Sequence, residues 1–309
     1  MSGVAAAEDA VAQALALADR VACVMARLTA RLRPPPRLVG GATPLSHLAG
    51  WLARDVYVPD LAVLASQGRL ARARLGWLGQ EDAALLAVGS GRVALDLPTI
   101  FAYVGAGRFA IWIQPAQIDR MGNTNISRIG PADRPHPALA GSRGLPDDSV
   151  LLPHGLYYLP RQGPRSLVER VDFVSGVGDR RRLPAGSRAP GRPGYLVTDL
   201  GVFDFSGPDG GLRLRARMPG VTLQAVREAT PFPLDGVEGE VPEVVPPTEA
   251  ERRALARLDP LGVRAVEFVR DGAAAADLRR RLQAAEEEAL APAARAYLED
   301  LGLNAGEGV

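Results

Sequence analysis

Lysine is absent from this chain of 309 residues, so its 36 basic residues other than histidine are all arginine. A Schiff-base enzyme needs a lysine amine, and a P-loop nucleotide site needs a lysine that reaches the phosphates, so both classes are excluded. The 35 acidic residues bring the formal net charge to +1. This balance predicts neither a nucleic-acid partner nor binding to a membrane surface.

Cysteine and long apolar runs are also scarce. Cys23 is the single cysteine, so no disulfide can form within the chain, and a cytoplasmic location is expected. No run of about 18 apolar residues is free of charge, and acidic residues interrupt the early apolar segment. We therefore predict neither a transmembrane helix nor a signal peptide. Hydrophobic residues make up 47% of the chain, as in ordinary soluble globular proteins.

Several catalytic motifs are missing as well. The sequence contains no H-E-x-x-H, no C-x-x-C and no cluster of histidine and cysteine, so we expect no metal site. It contains no G-x-S-x-G elbow, and Gly89-Ser90-Gly91 is too short to indicate a dinucleotide fingerprint. No resident cofactor is therefore expected.

The hydrophobic pattern predicts an α/β body to about residue 230 and a helical C-terminal extension. Predicted helices lie at 5–32, 44–54, 97–107, 223–229, from Thr248 onwards, and at 272–301 with an interruption at Pro292. Predicted strands are Leu61–Ala65, Phe109–Ile113, Val168–Val174 and, as the longest, Tyr195–Phe205, which a turn at Ser206–Gly210 joins to Leu212–Arg215. The proline-rich stretch 130–165 is expected to be a long ordered loop or a set of short connections, and 231–247 a linker.

A glycine pair opens the segment Gly40-Gly41-Ala42-Thr43-Pro44, between a strand end and a helix start. Adjacent glycines let a ligand approach the backbone, and the N–H groups of a helix N-terminus can receive an anion or a thioester oxygen. The alternative is a plain turn that needs glycine only for its conformation, and for the segment taken alone this is the simpler interpretation.

The segment Gln117–Ser127 predicts a β-hairpin with a tight turn at Met121-Gly122-Asn123. Its aspartate and asparagines suit a tight turn, and they suit the lining of an active site equally well. Both alternatives stay open, and Gln117, Asn123 and Asn125 are candidate binding residues.

Taken in order, these segments resemble the beta subunits of family I CoA-transferases, of the glutaconate CoA-transferase type. The similar segments cover about 38–230 and are Gly40–Pro44, Val58–Leu61, the Gln117/Asp119/Gly122/Asn123/Asn125 motif, Gly141–Gly144, Val171–Val174, Val197–Phe205 and Met218–Thr222. The resemblance implies an open, mostly parallel sheet flanked by helices in a domain over 37–232. An N-terminal helix at 1–36 precedes this domain, and a linker with C-terminal helices at 233–309 follows it. The implied contacts of a CoA thioester are Gly40, Gly41, Ala42, Thr43, Gln117, Asn123, Asn125, Ser142, Arg143 and Gly144.

The family's catalytic glutamate is not matched. In the transferases, the strand after the segment that resembles Val58–Leu61 leads to a glutamate nucleophile; here the register places Ser66 there, and a shift of one residue places Gln67. Neither side chain has a carboxylate that could form an acyl anhydride, and the sequence shows no nearby histidine to activate Ser66. The resemblance therefore implies no certain catalytic residue in this chain.

A second branch of the family is more similar: the actinobacterial pair that opens steroid rings as CoA thioesters, whose catalytic glutamate lies in the alpha subunit. Val174–Gly178 and Leu200–Gly210 carry this likeness. It implies an alpha-type partner, an α2β2 heteromer and an acyl-CoA substrate, with coenzyme A as part of the substrate. The alternatives are hydrolysis or C–C cleavage with the partner's carboxylate, true CoA transfer to a carboxylic acid, and a non-catalytic structural subunit. Ser66 argues against true transfer.

The remaining polar candidates each have a simpler structural interpretation. Arg143, Asp147 and Asp148 could face the thioester or the partner, or lie in a solvated loop. Arg180–Arg182 could hold CoA phosphates, although a solvated charge run is the simpler interpretation. Two histidines, His136 and His154, are flanked by prolines in loops, and Cys23 is expected in the core.

Overall fold

The computed structural model describes residues 2–64, 69–70, 93–179, 183 and 194–300, with side chains at 6–64, 95–179, 183, 194–285 and 288. The chain forms two compact units. Unit 1 consists of Met1–Cys23, Gly41–Asp96 and Pro247–Val309, and unit 2 of Val24–Gly40 and Leu97–Pro246. Both ends of the chain therefore belong to unit 1, and unit 2 is formed largely by the middle.

The strands lie between a long N-terminal helix and a group of C-terminal helices, with shorter helices among them. The helices are α1 (Ser2–Arg31), α2 (Pro44–Val56), α3 (Leu97–Gly105), α4 (Leu145–Leu151), α5 (Leu223–Glu228), α6 (Glu249–Leu258) and α7 (Gly272–Asp300), with a 3-10 turn at Val263–Glu267. The strands are β1 (Leu38–Gly41), β2 (Ala62–Leu64), β3 (Arg69–Leu70), β4 (Val93–Ala94), β5 (Phe109–Ile113), β6 (Gln117–Asp119), β7 (Thr124–Asn125), β8 (Leu156–Leu159), β9 (Leu167–Val168), β10 (Tyr195–Thr198), β11 (Gly201–Asp204) and β12 (Arg213–Arg217). In the part of the chain that is described, no helix has the length and apolarity needed to cross a bilayer.

The larger sheet of unit 2 has the strand order β12–β11–β10–β8–β5–β1. Its centre is parallel, because β8 pairs in parallel with both β10 and β5. Its edge is an antiparallel meander of β10, β11 and β12. A smaller sheet, in the order β7–β6–β9, carries the predicted hairpin. Parallel strands at the centre with helices between them confirm the α/β class.

A buried apolar cluster joins the two sheets of unit 2. Ile118 of the small sheet, Leu196 of the large sheet and Phe203 all have 0% exposure in this cluster. The rings of Tyr157 and Phe205 meet edge to face with centroids 6.5 Å apart, the geometry that aromatic pairs prefer. The hairpin that follows β6 is therefore held on a rigid base.

Unit 1 brings the two ends of the chain together. Arg264 of the 3-10 turn is 6% exposed and forms ion pairs with Asp19 of α1 and, at 2.8 Å, with Asp259. Asp259 follows α6 directly and is 2% exposed. Buried charges need such pairing, and these two carboxylates raise the pKa of Arg264 against the effect of its burial.

Several predicted elements are confirmed with their capping residues. Thr248 and Glu251 form the predicted capping box of α6, and Thr222 caps α5 by accepting a hydrogen bond from Ala225 N at 3.1 Å. The turn before β12 joins it to β11 as an antiparallel hairpin. Cys23 is 1% exposed, as a small core residue should be.

Two strand predictions are wrong. Tyr195–Phe205 is not one strand but the β10–β11 hairpin, because Thr198 Oγ1 accepts hydrogen bonds from Leu200 N and Gly201 N at 3.0 Å and turns the chain. The predicted strand Val168–Val174 ends at Val168. Beyond this point Asp172 N donates to the Gln117 side chain at 3.0 Å, and the chain meets β7 again only at the isolated bridge between Gly176 and Thr124.

Regular structure also extends further than predicted in two places. The stretch 130–165 contains α4 and the central strand β8, whose four residues are all buried and so show no alternation of polar and apolar residues. Helix α7 continues past Pro292 to Asp300, because a proline removes a single hydrogen bond and can kink a helix without ending it.

Candidate functional site

Gly41, the second glycine of the first predicted loop, is required by the cap of α2. Thr43 is the N-cap residue, and its Oγ1 accepts from Ser46 N at 3.3 Å while Thr43 N donates to Ser46 Oγ at 3.0 Å. Gly41 lies against this box, since a Cβ atom there would stand 2.1 Å from Ser46 Oγ. The local structure alone therefore explains glycine at position 41.

The N-terminus of α2 does not offer the free N–H groups that the sequence suggested. Pro44 has no N–H, Leu45 N donates to Glu267 Oε1 at 3.3 Å, and His47 N donates to Thr43 O at 3.1 Å. With Ser46 N bonded to Thr43, the first turn is fully capped. Contact of Gly40, Gly41, Ala42 and Thr43 with a ligand stays a prediction, and it cannot rest on this first turn.

His47, in the next turn of α2, is a residue that the sequence did not single out. It is 1% exposed, and both ring nitrogens are buried without a hydrogen-bond partner among the described residues. Burial lowers its pKa to about 4, against a smaller opposing effect of the Leu64 and Thr43 backbone. The imidazole is therefore neutral at pH 7, and it lies near Leu64 at the end of β2. The sequence around His47 does not indicate this burial, because the elements that cover the side chain are distant in sequence.

The hairpin motif in unit 2 forms as predicted, around Asp119. Strands β6 and β7 pair with Gln117 opposite Asn125, and Gly122 takes a left-handed φ of 81° in the turn. Asp119 Oδ1 accepts hydrogen bonds from Met121 N and Asn123 N, both at 3.0 Å. Burial raises the pKa of Asp119, and these hydrogen bonds act in the opposite direction. Its carboxylate builds the turn.

The carboxamides of the motif are bonded within the protein. Gln117 Oε1 accepts from Asn125 Nδ2 at 2.8 Å and from Asp172 N at 3.0 Å. Asn125 Oδ1 accepts from Ser127 N at 3.0 Å and from Arg128 N at 3.3 Å. Gln117 and Asn125 are 6% and 0% exposed. They fix the position of the loops that follow the two small-sheet strands.

Asn123 fastens a second loop to the hairpin turn. Its Oδ1 accepts from Gly178 N at 3.0 Å and from Asp179 N at 3.4 Å. Gly178 lies so close that a Cβ atom there would stand 2.0 Å from the carbonyl carbon of Gly122. The geometry thus supports the turn-building interpretation of the motif, and any contact of its carboxamides with a substrate stays a prediction.

The loop Gly141–Gly144 has an unusual backbone. Gly141 has a φ of 85°, and Arg143 has a φ of 49°, the sole positive value at a non-glycine among the described residues. A side chain in this conformation is strained, and such strain is found mostly where function requires a fixed geometry. Leu145 N donates to Ser142 O at 3.1 Å, which closes the turn into α4. Arg143 is exposed and Ser142 half-buried, so both can meet a ligand.

Asp148 in α4 is a carboxyl group with no hydrogen-bond partner in the described residues. Burial raises its pKa to about 7, and the neighbouring Asp147 carboxylate adds to this effect. A Cβ atom on Gly144 would be 3.7 Å from Asp148 Oδ2, so the carboxyl group turns back towards the Gly141–Gly144 loop. A group that titrates near pH 7 is suited to proton transfer.

The other predicted candidates lie apart or outside the described residues. His136 is exposed, and His154 Nε2 is 2.9 Å from Arg33 O. Ser66, Gln67, Gly89–Gly91 and Arg180–Arg182 are outside the described residues. No cluster of potential metal ligands occurs in the part of the chain that is described.

Two serines were also missed by the sequence analysis. The Ser127 hydroxyl group bonds to that of Ser142 in the Gly141–Gly144 loop, and the Ser175 hydroxyl group bonds to that of Ser127. They stand at the end of the hairpin motif and at the start of the glycine-rich segment after Val174, so both belong to segments that carried the resemblance. Nothing in either segment shows that the two side chains meet.

No family model matches the chain. It is 32% identical to the cholesterol ring-cleaving hydrolase IpdB subunit of Rhodococcus jostii in an alignment of 235 residues that covers 69% of this chain and 88% of that protein. It is 30% identical to the IpdB subunit of Mycobacterium tuberculosis, over 74% of this chain and 89% of that one. A subunit of the 3-oxoadipate CoA-transferase of Pseudomonas knackmussii is 29% identical, over 70% and 84%.

Solved structures agree with these relatives. The crystal structure of Rhodococcus jostii IpdAB has a chain that superposes with a TM-score of 0.69 and 28% identity, covering 81% of this chain and 97% of that one. A chain of the decarboxylase AibA/AibB superposes with a TM-score of 0.66 and 28% identity, covering 80% and 96%. The predicted fold class is thus confirmed, and by its similarity to the IpdB subunits this chain belongs to the CoA-transferase family, among its beta-type subunits.

Proposed function

We propose that this chain is the beta-type subunit of a two-component enzyme that acts on an acyl-CoA thioester by hydrolysis or C–C cleavage. The observation that carries the proposal is the similarity to the IpdB subunits of a ring-cleaving hydrolase over 88% to 89% of their length. Ser66 occupies the position of the family's glutamate, so the catalytic carboxylate belongs to an alpha-type partner. We infer an α2β2 assembly, in the reducing cytoplasm that a chain with one cysteine suits.

An exposed apolar surface on α3 supports a partner subunit. Leu97, Phe101 and Tyr103 are 67%, 45% and 37% exposed, and only Val104 of this helix is buried. Several large exposed apolar side chains on one short helix are typical of an interaction site. The solved relatives IpdAB and AibA/AibB are two-component proteins, which favours an alpha-type partner as the group that covers α3.

The substrate site that we propose in this chain is the Gly141–Gly144 loop. Ser142 offers a hydroxyl group, Arg143 offers an exposed guanidinium to an acidic part of the CoA moiety, and Gly144 leaves the backbone accessible. Gln117, Asn123 and Asn125 act on this site through the loops that they hold. Gly40, Gly41, Ala42 and Thr43 are proposed as a second contact, made by the backbone ahead of α2.

The two alternative functions are weaker. True CoA transfer needs a carboxylate nucleophile, which position 66 does not supply. Against a purely structural subunit stands Asp148, a half-buried carboxyl group that has no partner among the described residues and lies beside the Gly141–Gly144 loop. Asp148 therefore favours a chain that takes part in the reaction.

The test is to purify this chain, its alpha-type partner and their complex, and to follow free CoA and acyl products with a panel of acyl-CoA substrates. We expect the complex to turn over acyl-CoA and each separate subunit to be inactive. An added carboxylic acid acceptor should not become a CoA thioester, and Ser66→Ala should cost far less than the ~10⁴-fold loss of a covalent nucleophile. Turnover by the isolated chain, or an acyl adduct on Ser66 detected by mass spectrometry, would overturn the proposal.

A further inference from the structure

Three serine hydroxyl groups form a continuous row in unit 2. Ser175 Oγ is 2.8 Å from Ser127 Oγ, and Ser127 Oγ is 2.9 Å from Ser142 Oγ. The row begins in the interior, where Ser175 is 2% exposed, and ends at half-buried Ser142 in the Gly141–Gly144 loop. It links three loops that are far apart in sequence.

The direction of donation along this row follows from the partners of Ser175. Its Oγ accepts a hydrogen bond from Ile126 N at 3.0 Å, so its own proton is available to Ser127. If Ser127 donated to Ser175 instead, the Ser175 proton would be buried without an acceptor, which is costly. Ser175 therefore donates to Ser127. The Ser127 proton then has Ser142 Oγ as its one remaining acceptor among the described residues, so we take Ser127 as the donor to Ser142.

The proton of Ser142 is therefore left for a ligand. Among the described residues its Oγ has no hydrogen-bond partner besides Ser127. Because each hydroxyl group that accepts a hydrogen bond becomes a better donor, the row strengthens donation by Ser142. No histidine or carboxylate in the described residues bonds to Ser142, so it is a donor and not an activated nucleophile.

The rest of the motif holds the row in place. Asn125 Oδ1 accepts from Ser127 N at 3.0 Å, and Gln117 Oε1 in turn accepts from Asn125 Nδ2 at 2.8 Å. At the other end, the left-handed Arg143 and the bond from Leu145 N to Ser142 O fix the turn that carries Ser142. Both ends of the row are thus positioned by backbone and carboxamide groups.

We propose that Ser142 donates a hydrogen bond to the thioester carbonyl oxygen of the bound acyl-CoA, and that Ser127 and Ser175 are positioning residues that orient and polarise it. The inference rests on the proposed function. A fixed donor of this kind is most effective where negative charge develops on oxygen during the reaction. It should therefore affect kcat more than KM.

The test uses the assembled complex with Ser142→Ala, Ser127→Ala, Ser175→Ala and the double variant S127A/S142A. We expect a kcat lowered by ~10²-fold for Ser142→Ala and by about tenfold for Ser127→Ala, with KM changed little. The double variant should be no slower than Ser142→Ala, because Ser127 acts only through Ser142. Ser166→Ala is the matched control, since its hydroxyl group bonds to Arg161 O at 2.8 Å, away from the row, and it should leave kcat unchanged.

The outcomes separate this inference from the proposed function. A wild-type complex that neither binds nor turns over any acyl-CoA overturns both. If the wild-type complex is active but Ser142→Ala retains its kcat, the serine row alone is overturned. The same holds if the losses of Ser127→Ala and Ser142→Ala multiply in the double variant. Tm values of the same samples show whether a loss in Ser175→Ala comes from unfolding.

Discussion

Acidification should remove the stability that the neutral imidazole of His47 contributes. Burial lowers the pKa of His47 from 6.5 to about 4, so the unfolded chain binds its proton more tightly than the folded chain does. Stability from the neutral imidazole is therefore complete above pH 6.5 and is lost as the pH falls from 6.5 towards 4. Linkage between these two pKa values gives a loss of about 2 kcal/mol at pH 5 and roughly 3 kcal/mol below pH 4.

His47→Leu removes this titration and keeps an apolar group of similar size in the core. It also removes two buried nitrogens that lack partners among the described residues, so at pH 7.5 the variant should be as stable as the wild type or more stable. Denaturant unfolding at pH 7.5 and pH 5.0 gives the comparison. We expect the wild type to lose about 2 kcal/mol more than His47→Leu between these pH values.

The control is His136→Leu, which makes the same substitution at an exposed histidine and leaves His47 in place. Asp148 acts in the opposite direction, but it is present in all three proteins and cancels from the differences. Equal losses in the wild type and His47→Leu would show that His47 is protonated without cost in the folded state. The imidazolium would then be stabilised by the Leu64 and Thr43 backbone or by groups outside the described residues.

Three further substitutions test the loops of the candidate site. Gly41→Ala places a Cβ atom 2.1 Å from Ser46 Oγ and should lower the free energy of unfolding by ~1–3 kcal/mol. Gly163→Ala is the control and should cost less, because a Cβ atom there meets nothing within 4 Å. Equal losses of the two variants in denaturant unfolding would contradict the clash. Arg143→Gly relieves the left-handed strain and should keep or raise the Tm, while titration calorimetry of the complex shows weaker acyl-CoA binding; unchanged binding would mean that the guanidinium makes no contact. The pKa of Asp148 is raised to about 7 in the folded chain, so its protonated form contributes stability that is lost as the pH rises through 7. Asp148→Asn should therefore lose less stability than the wild type between pH 6 and pH 8 in denaturant unfolding.

Features that depend on a few neighbouring residues could be predicted from the sequence. The capping box of Thr248 and Glu251 and the hairpin turn around Gly122 are complete within four or five residues, and both formed as expected. The break at Thr198 was not predicted, because the apolar pattern of Tyr195–Phe205 continues across it. Only the side-chain bonds from Thr198 to the backbone reveal the turn.

The candidate site was predicted in part for the same physical reason. The sequence pointed to the segments that contain Ser142, Asp148 and Asn125. It did not show that the Asn125 carboxamide is directed inward, nor that Ser127 and Ser175 meet although 48 positions separate them. The burial of His47 depends on elements distant in sequence, which no local pattern encodes.

The ion pair of Arg264 with Asp19 has a consequence for the order in which the chain folds during synthesis. These residues are 245 positions apart, and Glu267, which caps α2 at Leu45, is 222 positions from its partner. Unit 1 therefore cannot be completed until nearly the whole chain has left the ribosome, whereas unit 2 ends at Pro246. Contacts of such long range slow folding. While unit 2 forms, the apolar faces of α1 and α2 that pack within unit 1 stay uncovered. A nascent chain whose emerged part ends between residues 246 and 264 would thus present a folded middle and an incomplete unit 1.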